Sequence, residues 1–227
     1  MGALFHDVGL VDVPDRVRMK KEARNAAEEQ VYRQHCAFGV EIARRVKLPP
    51  EVIAVIGLHH ERMDGSGYPQ GLKGDALPVA VRIVSAVESY DELCNPMQLE
   101  AALTPHEALS TLYARERARY APDVLSTLIR TLGVYPPGTV VKLSNESIGL
   151  VVAVNELAPL KPAVVVYDAA VPKEEAAIVD LAVEKEITIS KAMRPGLLPR
   201  EIYEYLSPRK RVTYFFDAVN KGKPEKR

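Results

Sequence analysis

A mainly α fold with a small β-rich C-terminal subdomain is what this sequence predicts, and three observations carry that expectation. Apolar residues recur at three- and four-residue intervals through most of the chain up to Leu132. After Gly133 that period gives way to short β-rich runs separated by Pro, Asn and Gly breaks. Four of the five histidines, His6, His35, His59 and His60, lie in or beside the apolar-periodic segments of the first part.

Taken in order, Met1 to Val8 is apolar with His6 and Asp7 embedded, and Gly9 and Pro14 end it. It reads as the last turns of a helix whose beginning is missing. Val11 to Lys20, with Pro14 and alternating charges, reads as a loop. From about Glu22 to Lys47, the spacing of Val31, His35, Phe38, Ile42 and Val46 predicts one amphipathic helix with His35 on its buried face. Pro49-Pro50 breaks it, and the next helix carries Val52, Val55, Ile56 and His59 on related faces, delivering His59 and His60 at its C-terminal end. Asp64 to Gly74 is a turn-rich loop, and Leu77 to Leu93 resumes as a helix with Val81, Val84 and Glu88 on one face. Thr104-Pro105-His106-Glu107 is a capping box with Pro at the first helical position, opening a helix to about Arg119. His106 then falls in an exposed first turn, outside the candidate site. A helix from Pro122 to Leu132 follows and stops at Gly133.

Strands are expected at Val140 to Leu143, Gly149 to Val154 and Ala163 to Tyr167. The tail adds a short β run at Ile187 to Ile189, a helix near Pro199 to Leu206 and an aromatic strand candidate at Val212 to Phe216. The expected division is a helical metal-binding domain over 1–133, a β-rich extension over 134–217 and a flexible basic tail over 218–227. No internal repeat or low-complexity segment is visible.

Lys plus Arg and Asp plus Glu balance at 30 each, which argues against a binder of nucleic-acid polymers or membrane surfaces. A small ligand or a protein partner fits better. Two cysteines, Cys36 and Cys94, are too few for a disulfide framework and read as buried thiols of a reducing compartment. No stretch approaches the roughly 20 apolar residues that span a bilayer, and the N-terminus lacks the features of a signal peptide, so a cytoplasmic location is expected.

The stretch His59-His60-Glu61-Arg62-Met63-Asp64-Gly65-Ser66-Gly67-Tyr68-Pro69 organises the chemistry. Adjacent histidines close an apolar helix and open directly into a sharp Gly/Ser/Asp loop. Together with His6-Asp7, His35 and the acidic Glu88 on an apolar face, they supply the mixture of imidazole and carboxylate that suits Zn, Fe or Mn.

The ordered set His6-Asp7-Val8-Gly9, His35, His59-His60 and Asp64-Gly65-Ser66-Gly67-Tyr68-Pro69 resembles the HD-GYP subgroup of the HD phosphohydrolase superfamily, over roughly residues 1 to 133. Members of that subgroup are helical, metal-dependent phosphodiesterases of cyclic di-GMP. Tyr135 to Phe216 also resembles the small β-rich extension found after this domain in some relatives. The resemblance implies an HD-type helical bundle holding two divalent transition-metal ions, Fe or Mn, with Zn or Ni as alternatives. It implies His6, Asp7, His35, His59, His60 and Glu88 as metal ligands, with Asp7 bridging and catalytic. It implies a substrate-binding set of Asp64, Gly65, Gly67, Tyr68, Pro69 and Asp91. The general physics agrees with that chemistry. A phosphodiester is anionic and inert, and two metals about 3.5 to 4 Å apart neutralise its oxygens and make a water nucleophilic near neutral pH.

Four departures from the family pattern stand out. An upstream helix with further ligands is absent from the sequence, Leu10 stands where the family usually has lysine, Glu88 stands where it has aspartate, and Asn95 to Glu100 replaces a basic, tyrosine-containing stretch. The expected function is hydrolysis of cyclic di-GMP to pGpG or GMP in bacterial second-messenger signalling. The alternative is a catalytically degenerate module that docks a signalling protein through the Gly67-Tyr68-Pro69 loop or the β-rich extension. A related phosphohydrolase with another nucleotide substrate is a third reading.

Overall fold

The computed structural model describes residues 1–98 and 101–207. The chain opens with α1 (Gly2–Phe5), a 3-10 turn over Val8–Asp12, and α2 (Asp15–Arg18). The stretch expected as a loop thus contains a helical turn, started after Pro14, whose extended backbone suits the residue before a helix. The single helix expected from Glu22 to Lys47 is two: α3 (Ala26–Arg33) and α4 (His35–Arg45). At Gln34 the backbone N–H reaches Val31, three residues back, in a tightened turn. Apolar spacing runs on through such a turn, which is why the sequence reads as one helix. The turn matters for the site, because α3 buries no residue whereas α4 begins with buried His35. An Asn25/Glu28 capping box starts α3.

α5 (Pro50–Leu58) carries Val55, Ile56 and Gly57 inward, and α6 (Val79–Cys94) crosses beyond the loop, with Val81, Ser85, Ala86, Ser89 and Tyr90 buried. Val55, Leu77 and Val81 form a small core between them. The Thr104/Glu107 capping box starts α7 (Pro105–Ser110) as expected. The helix does not continue to Arg119: it loosens into a π turn over Thr111–Arg115 and a 3-10 turn over Arg117–Arg119. α8 (Pro122–Leu132) ends at Gly133, whose φ of 74° is the positive region that favours glycine. Tyr90, Cys94, Leu109, Leu112 and Leu125 fill the main helical core.

The C-terminal part is an antiparallel five-stranded sheet in the order β4-β3-β2-β1-β5. Its strands are β1 (Val140–Leu143), β2 (Ile148–Ala153), β3 (Ala163–Val166), β4 (Ile178–Asp180) and β5 (Ile189–Met193). β1 and β2 pair with Val140 opposite Leu150. Val141, Leu143, Val151, Val164 and Leu181 form the sheet's own core. β4 has only three residues and exposed ends, too short to leave a readable pattern, and β5 lies mainly beyond the expected Ile187 to Ile189. α9 (Arg200–Leu206) follows. The strand candidate Val212 to Phe216 and the basic tail 218–227 lie outside the described residues.

His106 also differs from expectation. It is half-buried at the junction of helices and sheet, where Nδ1 donates to the Val134 carbonyl at 2.8 Å and the ring stacks on Tyr135. Arg194 adds an ion pair to Glu107 at 3.3 Å. Cys36 and Cys94 are both buried, as expected. No helix among the described residues is long and apolar enough to cross a membrane.

Candidate metal centre

Three segments deliver the donors to one point. α5 ends at His59, which caps it in a helical conformation, so His59 and His60 emerge from a strongly apolar helix. α4 begins at His35. The 3-10 turn after Asp7 lies against α4 so closely that a Cβ on Gly9 would come within 2.0 Å of the His35 carbonyl oxygen. That backbone contact sets Asp7 beside His35, and α6 brings Glu88 from the other side.

The histidine tautomers follow from their partners. His6 Nδ1 lies 2.7 Å from the Ala3 carbonyl, His35 Nδ1 2.8 Å from that of Tyr32, and His59 Nδ1 2.9 Å from that of Ile56. A carbonyl only accepts, so each Nδ1 carries the proton and each Nε2 presents a lone pair. Yet His35 Nε2 and His59 Nε2 face each other at 3.2 Å. Two neutral imidazoles in this state repel there, and a cation between them removes the repulsion. Asp7 Oδ1 lies 3.5 Å from His35 Nε2 and 3.6 Å from His59 Nε2, while Oδ2 lies 3.5 Å from His6 Nε2. Glu88 Oε1 lies 3.4 Å from His60 Nε2 and 4.0 Å from His59 Nε2. Asp7, His35, His59 and His60 each offer a ligand atom within 4.8 Å of the others. Asp7 Oδ1 and Glu88 Oε2 are buried without hydrogen-bond partners. The donor set therefore fits a divalent transition metal, with second contacts from backbone carbonyls that fix the rings of His6, His35 and His59.

The electrostatics agree. Burial pushes the Glu88 carboxyl up to about 9, with Glu92 adding to it against Arg62. Burial, then the neighbouring His59 and His35, hold His60 far below the ordinary histidine value. Burial also lowers His35. Asp7 feels burial upward, but the adjacent His59, His6 and His35 outweigh it and hold the carboxyl low.

The glycine-rich loop is built onto this centre. Tyr68 stacks on His60 at 4.5 Å between ring centres and meets His35 edge-on at 6.5 Å. Gly67 packs where a Cβ would lie 2.4 Å from the His60 carbonyl oxygen. Gly65 turns at φ 79°, Asp64 accepts from the Ser66 N–H at 2.9 Å, and exposed Pro69 follows a cis peptide bond. Asp91 is not part of this loop: it is exposed on α6 and accepts from Asn95 at 2.8 Å.

Sequence reasoning missed two residues. Glu61, fully buried, accepts backbone N–H groups of Gln70, Gly71 and Leu72 at 2.6, 3.1 and 2.9 Å and so closes the loop. Arg62, also buried, donates to Ser85 Oγ at 2.6 Å and Ser89 Oγ at 2.9 Å, tying the loop's root to α6. The available signal was Ser85 and Ser89 on the otherwise apolar inner face of α6, a hydroxyl pair awaiting a buried donor.

Comparison with known proteins places this geometry. The HD domain profile matches residues 1–124, and the profile of a KOW domain associated with HD domain matches residues 140–198. A cyclic di-GMP phosphodiesterase response regulator of Xanthomonas campestris is 36% identical over 132 residues, covering 57% of this chain and 35% of the relative. A cyclic di-GMP phosphodiesterase of Thermotoga maritima is 35% identical over 136 residues, covering 56% and 35%. A 3'3'-cGAMP-specific phosphodiesterase of Vibrio cholerae is 32% identical over 127 residues, covering 55% and 24%. The chain thus spans about a third or less of the length of these relatives. A solved HDG"Y"P protein from Bdellovibrio bacteriovorus is 23% identical with a TM-score of 0.47, covering 56% of this chain and 40% of its own. With a match over more than half its length, and with cyclic-dinucleotide phosphodiesterases among its relatives, the chain belongs to the HD domain family.

Proposed function

We propose that this chain is a metal-dependent phosphodiesterase that hydrolyses cyclic di-GMP to pGpG or GMP in bacterial second-messenger signalling. The observation that carries the reading is the opposed pair of lone pairs on His35 and His59 with an unpartnered Asp7 oxygen beside them. His35, His59, His60, Asp7 and Glu88 would hold two ions, Fe or Mn with Zn or Ni as alternatives, and His6 would join them through the second oxygen of Asp7. When bound, such ions neutralise a phosphodiester and supply a nucleophile near neutral pH. Asp7 would serve both ions, since its two oxygens face different imidazoles. Backbone carbonyls hold the rings of His6, His35 and His59 with lone pairs inward, and the Tyr68 ring covers His60 from solvent. The relatives include a cyclic di-GMP phosphodiesterase and a 3'3'-cGAMP-specific phosphodiesterase, and the chemistry these two share is the 3'–5' cyclic dinucleotide.

Product release from cyclic di-GMP and from 3'3'-cGAMP, with Mn or Fe supplied, tests it in the wild type and in Asp7→Ala. Turnover abolished by Asp7→Ala supports catalysis at this centre. Leu10 leaves the site one cation short, which favours the interaction-module reading as the alternative. No turnover in the metal-loaded wild type or in Leu10→Lys would transfer the assignment to that module.

A further inference from the structure

Two arginines at the rim end on rings that themselves lie against metal-site histidines. The Arg24 guanidinium is 3.5 Å from the centre of the Tyr32 ring, and Tyr32 lies 5.2 Å from His35. The Arg33 guanidinium is 4.5 Å from the centre of the Tyr68 ring, and Tyr68 stacks on His60. Each layer runs from a cation through a tyrosine to an imidazole of the cluster. Glu29 joins the two: its Oε1 accepts from Arg33 Nε at 3.0 Å, and its Oε2 lies 3.9 Å from Arg24 Nη1. The Arg33 side chain is 50% exposed and that of Glu29 36%, so both reach solvent, while Arg24 behind them is 19% exposed and donates through Nε to the Val17 carbonyl at 3.1 Å.

A cyclic dinucleotide carries two phosphodiesters, and the metal centre accounts for the one being cleaved. The other is an anion that must find a cation nearby or stay hydrated, and Leu10 supplies no charge. A guanidinium presents a planar fork that meets two phosphate oxygens at once, and one already seated on an aromatic face loses little freedom on binding. We infer that Arg33, with Arg24 behind it, binds the second, uncleaved phosphate of a cyclic dinucleotide, and that Glu29 is the internal anion this phosphate displaces. The inference rests on the cyclic-dinucleotide reading of the metal centre. Glu29 gives it a direction that a purely structural ion pair lacks, because removing the internal anion frees donors for the ligand.

Calorimetric titration of the Mn-loaded chain with a non-hydrolysable bisphosphorothioate analogue of cyclic di-GMP measures the effect. Arg33→Gln is expected to weaken binding roughly tenfold to a hundredfold. Arg33→Lys should recover part of the loss, and Glu29→Gln should tighten binding, with melting temperatures reporting that each variant is folded. Bis(p-nitrophenyl) phosphate, which has a single phosphodiester, separates the two phosphate sites. Its kcat/KM should fall by less than about threefold in Arg33→Gln, as a half-exposed charge outside the reacting site would give, while KM for cyclic di-GMP rises. Unchanged analogue binding in Arg33→Gln, equal losses on both substrates, or weaker binding in Glu29→Gln overturns the assignment. If the wild type binds the analogue in the expected pattern yet hydrolyses no cyclic dinucleotide, the phosphodiesterase reading fails and the second-phosphate site stands. If the wild type does not bind the analogue, the second-phosphate site falls too.

Discussion

Gly9 shows how a residue without a side chain can position one that has chemistry. A Cβ there would meet the His35 carbonyl oxygen at 2.0 Å and the Gly39 nitrogen at 2.4 Å, both of them backbone atoms that cannot swing aside. Gly9→Ala must therefore push the 3-10 turn off α4 and carry Asp7 with it. The expected result is a loss of about 2–4 kcal/mol in urea unfolding and at least about a tenfold fall in metal affinity, a shift of roughly 1.4 kcal/mol. Normal metal content at wild-type stability would sink this account. Glu61 is the second case. Its buried carboxylate holds three loop N–H groups, and truncation to alanine is expected to cost about 3 kcal/mol, with Glu61→Gln intermediate because one oxygen still accepts. Limited proteolysis between Asp64 and Gly74 should quicken in parallel. That His6, Asp7, His35, His59, His60 and Glu88 converge on one point was legible because histidine is scarce and a carboxylate on an apolar face is conspicuous. Glu61 was not, because its partners are backbone amides, which leave no mark on a sequence. Asp91 was placed with the loop by resemblance alone, and its exposed position on α6 comes from the helix's own phase.

At the scale of elements, the Thr104/Glu107 cap read well, whereas the Asn25/Glu28 cap and the irregular turns did not. The Thr104/Glu107 box is a local pattern of fixed spacing, and the chain follows it. The Gln34 break and the π turn over Thr111–Arg115 preserve apolar spacing while changing direction, so periodicity passes straight through them. Glu107 also links elements, since it pairs with Arg194 after β5. Burial pushes its carboxyl up, but the hydrogen bonds with Thr104 and the charge of Arg194 outweigh that and hold it below the ordinary glutamate value. A depressed carboxylate stabilises the fold above its unfolded pKa and loses that contribution as pH falls through the folded one. Glu107→Gln should accordingly cost about 0.5 kcal/mol at neutral pH, and the gap from wild type should close in acid, below the depressed value. Chemical denaturation at neutral pH and at successively lower pH reads the trend, and a gap that widened in acid would contradict it.

At the scale of the whole molecule, all six clustered His and acidic residues come from the helical part, and the sheet has a core of its own. We expect the chain to divide near Gly133, with metal stabilising only the first part. At a hundred times its dissociation constant, a ligand adds about 2.7 kcal/mol to the unit that binds it. Calorimetry before and after chelation should move one transition and leave the sheet's in place, whereas a uniform shift would show a single cooperative unit. Sheet content was legible from β-branched runs, but its order was not, because β5 returns from 46 residues beyond β1's last residue to pair with it. The opposed lone pairs of His35 and His59 have a consequence beyond catalysis. A folded chain that is strained when empty spends more time open to proteases than one that is full. Its abundance in a living cell would then track the supply of free transition metal, and a metal-starved cell would lose the protein itself.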